Sequence, residues 1–462
     1  MPTHYSTKLT GEMTTLRDVT CHIYTKLILR LNRGKCLTRA PKLYSTSVIV
    51  LSLSSLIENL AYGLPLAYFP NYAISLGASV AYVGFFTAAF MLTTALLSER
   101  FGGLSDRIGR KRLIEIGLFT DVILGILTGV IQSWIVLLLI RALNGIATAA
   151  VSSPAEASLV DQVPKHRRGE ALGFYLTLGI AGWTLGPLFG GTVQHLAQNQ
   201  LQMELETSYR IPFFVDSLLA AIAMALVAWK VTETRGSSKS SEVSEIITDD
   251  VKLTGWRLLS VRILYFVGLT NGFAVGFIAP LAVLFFGDLF NATPLQIGFI
   301  LTTSGSVGLL GNFFAGKLAD RIGRKPVIAF GSSSSRLSTL IMPFVSDINS
   351  AAGLMVFRSM GHNVAMPASR ALRADLVPAK IRGKLFGRLQ AFFNLGMVIG
   401  PILGTWLYDR YRYEVFRVTW PTDFNVRGLG LPFFISGILG LTALALLLIF
   451  VKEPPKAKRD TK

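Results

Sequence analysis

Charge is what this 462-residue sequence has least of. Asp, Glu, Lys and Arg together make up 16% of it, against roughly 25% in soluble domains. That scarcity excludes the two or three soluble domains which length alone would suggest. Cysteine is nearly absent: Cys21 and Cys36 are the only two, both near the N-terminus and without CxxC spacing. This excludes a disulfide framework and a zinc site, and leaves two free thiols. No nucleophile–base pair or metal-ligand constellation is found, so neither an enzyme, a metal nor a cofactor is expected.

Apolar residues fill the space instead. They account for 51% of the chain, with 30 Phe and 43 Gly, and the mean hydropathy is +0.51. Crossing a bilayer takes about 20 apolar residues per helix. Twelve stretches qualify: 46–70, 80–98, 113–131, 134–152, 170–194, 211–229, 259–287, 294–313, 327–345, 350–368, 384–407 and 430–451. An even number places both termini on one side.

The formal charge of +18 raises the question of a nucleic-acid partner, and its distribution answers it. Segments 1–43, 99–112, 153–170, 230–262, 314–326, 369–384 and 452–462 hold 36 of the 45 Lys and Arg, whereas the opposite loops hold five. The positive-inside rule makes the first set cytoplasmic. The charge is therefore topological, and no nucleic acid is expected. Segment 1–43 reads as a basic tail, either disordered or carrying a surface helix in which Lys26, Arg30 and Arg33 share one face; a transit peptide is a weaker option. Residues 231–258 are polar and Ser-rich, a linker between six-span halves 44–230 and 259–451, and 452–462 is a second tail.

The halves repeat. Residues 102–112 read GGLSDRIGRKR and 316–326 read GKLADRIGRKP, which sets Asp106 and Asp320 214 residues apart. The same offset links Asp161 to Asp375, Arg168-Gly169 to Arg382-Gly383, and Gly186-Pro187 to Gly400-Pro401. Six spans separate equivalent points, so the repeats are parallel. With Arg141-Ala-Leu-Asn-Gly145 in span four and Gly182, Gly186, Pro187, Gly190 and Gly191 in span five, the chain resembles the major facilitator superfamily, and in the fifth-span motif its drug–proton antiporters. That resemblance implies an all-α membrane fold of twelve helices in two six-helix bundles.

Each Asp-Arg-x-Gly-Arg-Lys loop turns at a glycine, Gly109 or Gly323, while Arg107, Arg110 and Lys111, or Arg321, Arg324 and Lys325, hold it at an anionic surface. By resemblance, Asp106 faces the start of the helix near Gly383 and Asp320 the one near Gly169. These latches close the inner side, with Arg110–Asp161 and Arg324–Asp375 as charge pairs; the simpler reading is topogenic charge and a turn. Gly182, Gly186 and Gly190, and likewise Gly396, Gly400 and Gly404, line one helical face each. Small residues at this spacing let helices touch, and Pro187 and Pro401 bend or soften the helices.

Ionisable side chains inside spans mark function. Glu58 and Arg141 fall at a shared depth near the midplane, either a proton-coupling pair or a permanent structural one. Asn59, Tyr62, Asn144, Asn271, Arg358, His362, Asn363, Gln390 and Asn394 are candidates for a substrate cavity, whereas Asp121 and Arg336 have no partner inferable from sequence. Gly311–Lys317 nearly matches a P-loop, but Leu318 replaces the Ser or Thr that binds Mg²⁺, so nucleotide is not the energy source.

The expectation is a monomeric alternating-access transporter of the cell membrane, coupled to protons and expelling a small organic compound. The alternatives are uptake of a polar metabolite such as a sugar or organic acid, and a transport-inactive receptor or scaffold on the same fold.

Overall fold

The structure is a computed structural model describing residues 45–234, 255–377, 382–418 and 424–453. The expected tail 1–43, most of the linker 231–258 and the end of the chain beyond 453 lie outside these residues, as do the side chains of Asp320 and of 382–384. The first half contains α1 (Thr46–Gly63), α2 (Phe69–Ser75), α3 (Val83–Ile108), α4 (Arg110–Val130), α5 (Trp134–Asp161), α6 (Arg168–Asn199), α7 (Leu205–Ser208) and α8 (Ile211–Lys230). The second contains α9 (Gly255–Ile278), α10 (Leu281–Phe290), α11 (Pro294–Ile322), α12 (Arg324–Ile341), α13 (Ile348–Leu376), α14 (Arg382–Tyr411) and α15 (Leu431–Phe450).

Twelve of these described helices reach 18 residues, one for each expected span. Nine helical stretches are long and apolar enough to cross a membrane. Among the rest, α12 carries the run Ser332–Ser335 followed by Arg336, and α13 carries Arg358, His362, Arg370 and Arg373. Several helices outrun the apolar stretches that announced them. The helix α3 continues to Ile108, ten residues past the expected end, because backbone hydrogen bonding persists where side chains turn polar at the bilayer surface. The helix α9 starts at Gly255, inside the segment read as linker.

Single residues connect α3 to α4 and α11 to α12. Gly109 and Gly323 take φ values of 109° and 100°, a region side-chain-bearing residues resist. At the opposite end Thr293 and Gln296 form a reciprocal capping box on α11, and the Asp347 carboxylate accepts from the Ser350 N–H at 2.9 Å to cap α13.

Within the first half, α1 packs on α6 and α8, α3 on α5, and α4 on α5 and α8. The second half repeats the scheme: α9 on α14 and α15, α11 on α13, α12 on α13 and α15. The halves meet along α6 with α11 and α3 with α14, contacts exchanged by the same pseudo-two-fold. One departure from an all-helical chain is a hairpin, β1 (Val415–Val418) paired antiparallel with β2 (Phe424–Arg427), in the loop before α15.

Candidate functional site

The ends of the molecule differ. At the end away from the basic loops, one apolar cluster takes Tyr68, Tyr72, Phe86 and Phe213 from the first half and Phe277, Leu281, Phe285 and Tyr408 from the second. Two crossings related by the 214-residue offset hold this end shut. The Gly84 N–H donates to the Thr405 hydroxyl at 3.1 Å, and that hydroxyl donates to the Ala81 carbonyl at 3.0 Å. At the equivalent crossing the Leu188 N–H donates to the Thr302 hydroxyl at 3.3 Å, which donates to the Thr184 carbonyl at 2.9 Å. Ser79 adds a hydrogen bond to Asp409 at 3.1 Å. At the basic end, among the described residues, one apolar cluster draws on the second half alone, and Gly173 and Gly387, equivalent positions near the starts of α6 and α14, have no neighbour within 4 Å of where a side chain would begin.

Below the closed end lies a cavity of about 210 Å³ between the halves. Tyr62, Leu66, Phe69, Phe86, Phe90 and Trp183 line it from the first half, and Pro280, Val283 and Met397 from the second. Tyr62 stacks on Trp183 with ring centroids 6.4 Å apart and leans on Phe90 at 5.2 Å. The one charge in the lining is Arg141, whose guanidinium sits 3.8 Å from the centroid of Phe69. Cation–π contact of this kind is worth about 0.5–2 kcal/mol, most when desolvated. The site is aromatic with one cation, a shape for amphipathic molecules rather than for a heavily hydrogen-bonded one.

Arg141 does not pair with Glu58 as their common depth suggested. Among the described residues Glu58 forms no ion pair, and the acids sharing a cavity wall with Arg141 are Asp121 of α4 and Asp216 of α8. Counting residues along a helix fixes height but not azimuth. The helix α1 packs mainly on α6 and α8, whereas α5 packs mainly on α3 and α4, so a shared height does not by itself bring Glu58 and Arg141 together. Asp121, left without a role by the sequence, accepts from Asn144 at 3.1 Å.

Of the polar residues expected around the substrate, Tyr62 reaches the cavity. Asn59 donates to the Ser55 carbonyl at 2.7 Å, Asn363 to the Ser359 carbonyl at 2.9 Å, and Gln390 to Asn394 at 2.8 Å, all within their own helices. Asn271 accepts from Arg336 at 2.7 Å, which gives that buried guanidinium its partner. His362 is exposed and Arg358 half-buried on α13. His362 is two residues from both Met360 and Val364, which line a groove with α11 and α12, so it points nearly the opposite way.

At the basic end Arg110 is buried between Asp106, at 3.1 Å, and Asp161. Its repeat, Arg324, pairs with Asp375 and donates to the Ala371 carbonyl at 3.2 Å. The Asp106 side chain is 57% exposed and, among the described residues, bonds to Arg110 at the start of α4. Sequence reading missed a further pair of acids there. The Glu233 carboxylate accepts from the Arg110 N–H at 2.8 Å and the Lys111 N–H at 3.3 Å, while Lys111 Nζ donates to the Ala228 carbonyl at 2.7 Å. In the second half Glu453 accepts from the Arg324 N–H at 3.1 Å and Lys325 Nζ donates to the Leu448 carbonyl at 2.9 Å. Each loop is tied at a helix N-terminus, where an anion is favoured, to the end of its own half. The signal was present as Val231-Thr-Glu233 and Val451-Lys-Glu453, but its offset is 220 rather than 214.

Gly182, Gly186 and Gly190 lie against the α1 backbone and Leu64, and Gly396, Gly400 and Gly404 against α9. Gly191 instead meets Pro294 at the start of α11. Pro187 and Pro401 sit inside continuous helices.

The Major Facilitator Superfamily sequence profile matches residues 51–263 and again 264–462. The multidrug resistance protein MdtG of Salmonella typhimurium is 28% identical over 386 residues, covering 81% of this chain and 92% of that protein. Among solved structures, a bacterial homolog of the human lysosomal transporter Spinster, inward-facing and unoccupied, superposes with a TM-score of 0.72 at 15% identity, covering 91% of this chain and all of that one. A D-xylose–proton symporter gives 0.68 at 18% identity, covering 88% and 98%. With its two parallel six-helix repeats and a cavity between them, the chain belongs to the Major Facilitator Superfamily and is an integral membrane secondary transporter that takes a small-molecule substrate.

Proposed function

We propose that the chain exports a small amphipathic organic compound from the cytoplasm in exchange for protons, as a monomer in the plasma membrane with both termini inside. The observation that carries this reading is the midplane cavity, walled by Tyr62, Phe69, Phe90 and Trp183 and charged only at Arg141. Aromatic faces accept flat apolar bodies of varied outline, which fits a multidrug protein such as the MdtG relative. The far end is closed and Asp106 at the basic end is largely exposed, which supports a form that admits solute from the cytoplasmic side. Glu58, a half-buried carboxylate on α1 without a counter-cation among the described residues, is the exchanging acid.

As the halves rock, the Gly84–Thr405 and Leu188–Thr302 crossings part, and Asp106 and Asp320 close on the opposite half. In proteoliposomes, a pH gradient should drive accumulation of tetraphenylphosphonium by wild type and not by Glu58→Gln. Equal accumulation by both would remove Glu58 from the mechanism. A second reading, uptake of a polar metabolite, is favoured by exposed His362 beside Arg358 on α13. Competition by sugars or organic acids rather than by lipophilic cations would select it.

A further inference from the structure

Arg141, Tyr62 and Pro65 form a partition: they line the solute cavity on one side and a smaller space on the other. Asp121 and Asp216 stand in that second space. The Asp216 carboxylate lies 3.3 Å from where a side chain on Gly125 would begin, and Gly125 is one turn along α4 from Asp121. Two carboxylates from facing helices therefore line one small space with one guanidinium.

Among the described residues the other groups around them supply no second cation. Asn144 from α5 is neutral, and Tyr62 and Tyr68 offer phenols. Glu58, on α1, is a third acid within electrostatic reach of Asp121. Two ionised carboxylates against one arginine would leave an uncompensated charge in the core of the bundle, which is strongly unfavourable unless one carboxylate holds a proton. Two buried atoms point the same way. Among the described residues the Tyr68 hydroxyl is fully buried with no hydrogen-bond partner, within electrostatic reach of Asp216 and Arg141, and Asp216 Oδ1 is likewise buried and unpaired.

We propose that Asp121, Arg141 and Asp216 hold a second exchangeable proton, shared between the two carboxylates, and that its presence sets the charge felt in the solute cavity. This rests on the export reading above. With the proton bound the triad is neutral and Arg141 lies on the face of Phe69, a cationic wall. When the carboxyl O–H bond breaks, the electron pair stays on the carboxylate and the proton leaves to solvent. The triad then carries one negative charge, drawing Arg141 toward the acids and favouring a lipophilic cation in the cavity. Cation and proton thus compete without touching the same atoms.

The test is infrared difference titration of the reconstituted full chain, reading the C=O stretch of a protonated carboxylic acid, alongside accumulation of tetraphenylphosphonium. One carboxylic-acid band should vanish in Asp121→Asn and vanish equally in Asp216→Asn, because either variant leaves one carboxylate permanently matched to Arg141. The band should survive in Glu58→Gln and return in Asp216→Glu, which also carries the test if Asp216→Asn does not fold. Gradient-driven accumulation should fall at least tenfold in both Asn variants while exchange of labelled for unlabelled tetraphenylphosphonium continues. A band unchanged in both variants, or two separate bands lost one per variant, would overturn the shared proton. A wild type that shows the band but ignores the pH gradient would sink the proton-coupled reading and leave the shared proton as a structural one.

Discussion

Gly84 of α3 backs directly onto the carbonyl of Pro401 in α14, so closely that a Cβ would sit 2.2 Å from the oxygen. Gly298 of α11 meets the carbonyl of Pro187 in α6 at the same 2.2 Å. The two contacts are one contact seen twice through the 214-residue repeat, and they are the tightest approaches between the halves at any described glycine. The Gly-Pro motif of α6 and α14 is therefore part of the closed end, not only of the packing on α1 and α9.

Substituting either glycine should pry that end open. Gly84→Ala or Gly298→Ala is expected to raise labelling of a reporter, Thr87→Cys, by an impermeant thiol reagent from the far side by about tenfold, a shift of ~1.4 kcal/mol. The background would lack Cys21 and Cys36. Unchanged labelling would mean that these crossings do not govern closure.

The carboxylates tied to the loop starts should stabilise each half separately. Glu233→Gln and Glu453→Gln should each lose about 0.5–2 kcal/mol, as other helix-capping acids do. Because they lie in different halves, the double variant should show the sum in a thermal melt read by fluorescence. A strongly non-additive result would imply that the loops communicate across the interface.

Trp183 offers a handle on the substrate class. It stands 42% exposed on the cavity wall behind Tyr62. Trp183→Ala should weaken tetraphenylphosphonium binding about tenfold, consistent with ~1–2 kcal/mol for a lost aromatic anchor. Unaltered affinity in an equilibrium binding assay would place the solute elsewhere.

The α13 cap carries a pH signature at the far surface. Hydrogen bonds from the Ser350 hydroxyl and N–H hold the Asp347 carboxyl below the usual aspartate value. A lowered folded-state value means stability present above about pH 3.9 and lost as the pH falls through the lower value. Wild type should therefore melt above Asp347→Ala at pH 7, with the gap closing in stronger acid. A gap that widened in acid would reverse the assignment.

Much of the architecture was legible because it rests on counting. Twenty apolar residues predict a span, and one offset recurring through Asp106, Asp161, Gly186 and Pro187 predicts the parallel repeat. The lateral relationships were not, since they depend on which way a helix is rotated. Depth paired Glu58 with Arg141, whereas the folded chain sets Arg141 in one small space with Asp121 and Asp216. Polarity nominated Asn59 and Asn363 for the substrate, yet each satisfies its own helix, and the cavity wall went to Phe69, Phe90 and Trp183, which an aromatic-rich chain does not distinguish. Asp216 had a signal, being the lone ionisable residue within the apolar run Ile211–Trp229. Glu233 and Glu453 had a weaker one, blurred by six residues of extra chain in the second half.

The most direct measurement uses inside-out vesicles holding a pH gradient and an entrapped pH dye, to which tetraphenylphosphonium is added. Wild type should collapse the gradient as the cation moves, and Glu58→Gln should not. If the cation moves no protons while a labelled sugar or organic acid still exchanges across the same vesicles, proton-driven export is contradicted and the chain is a carrier of polar solutes.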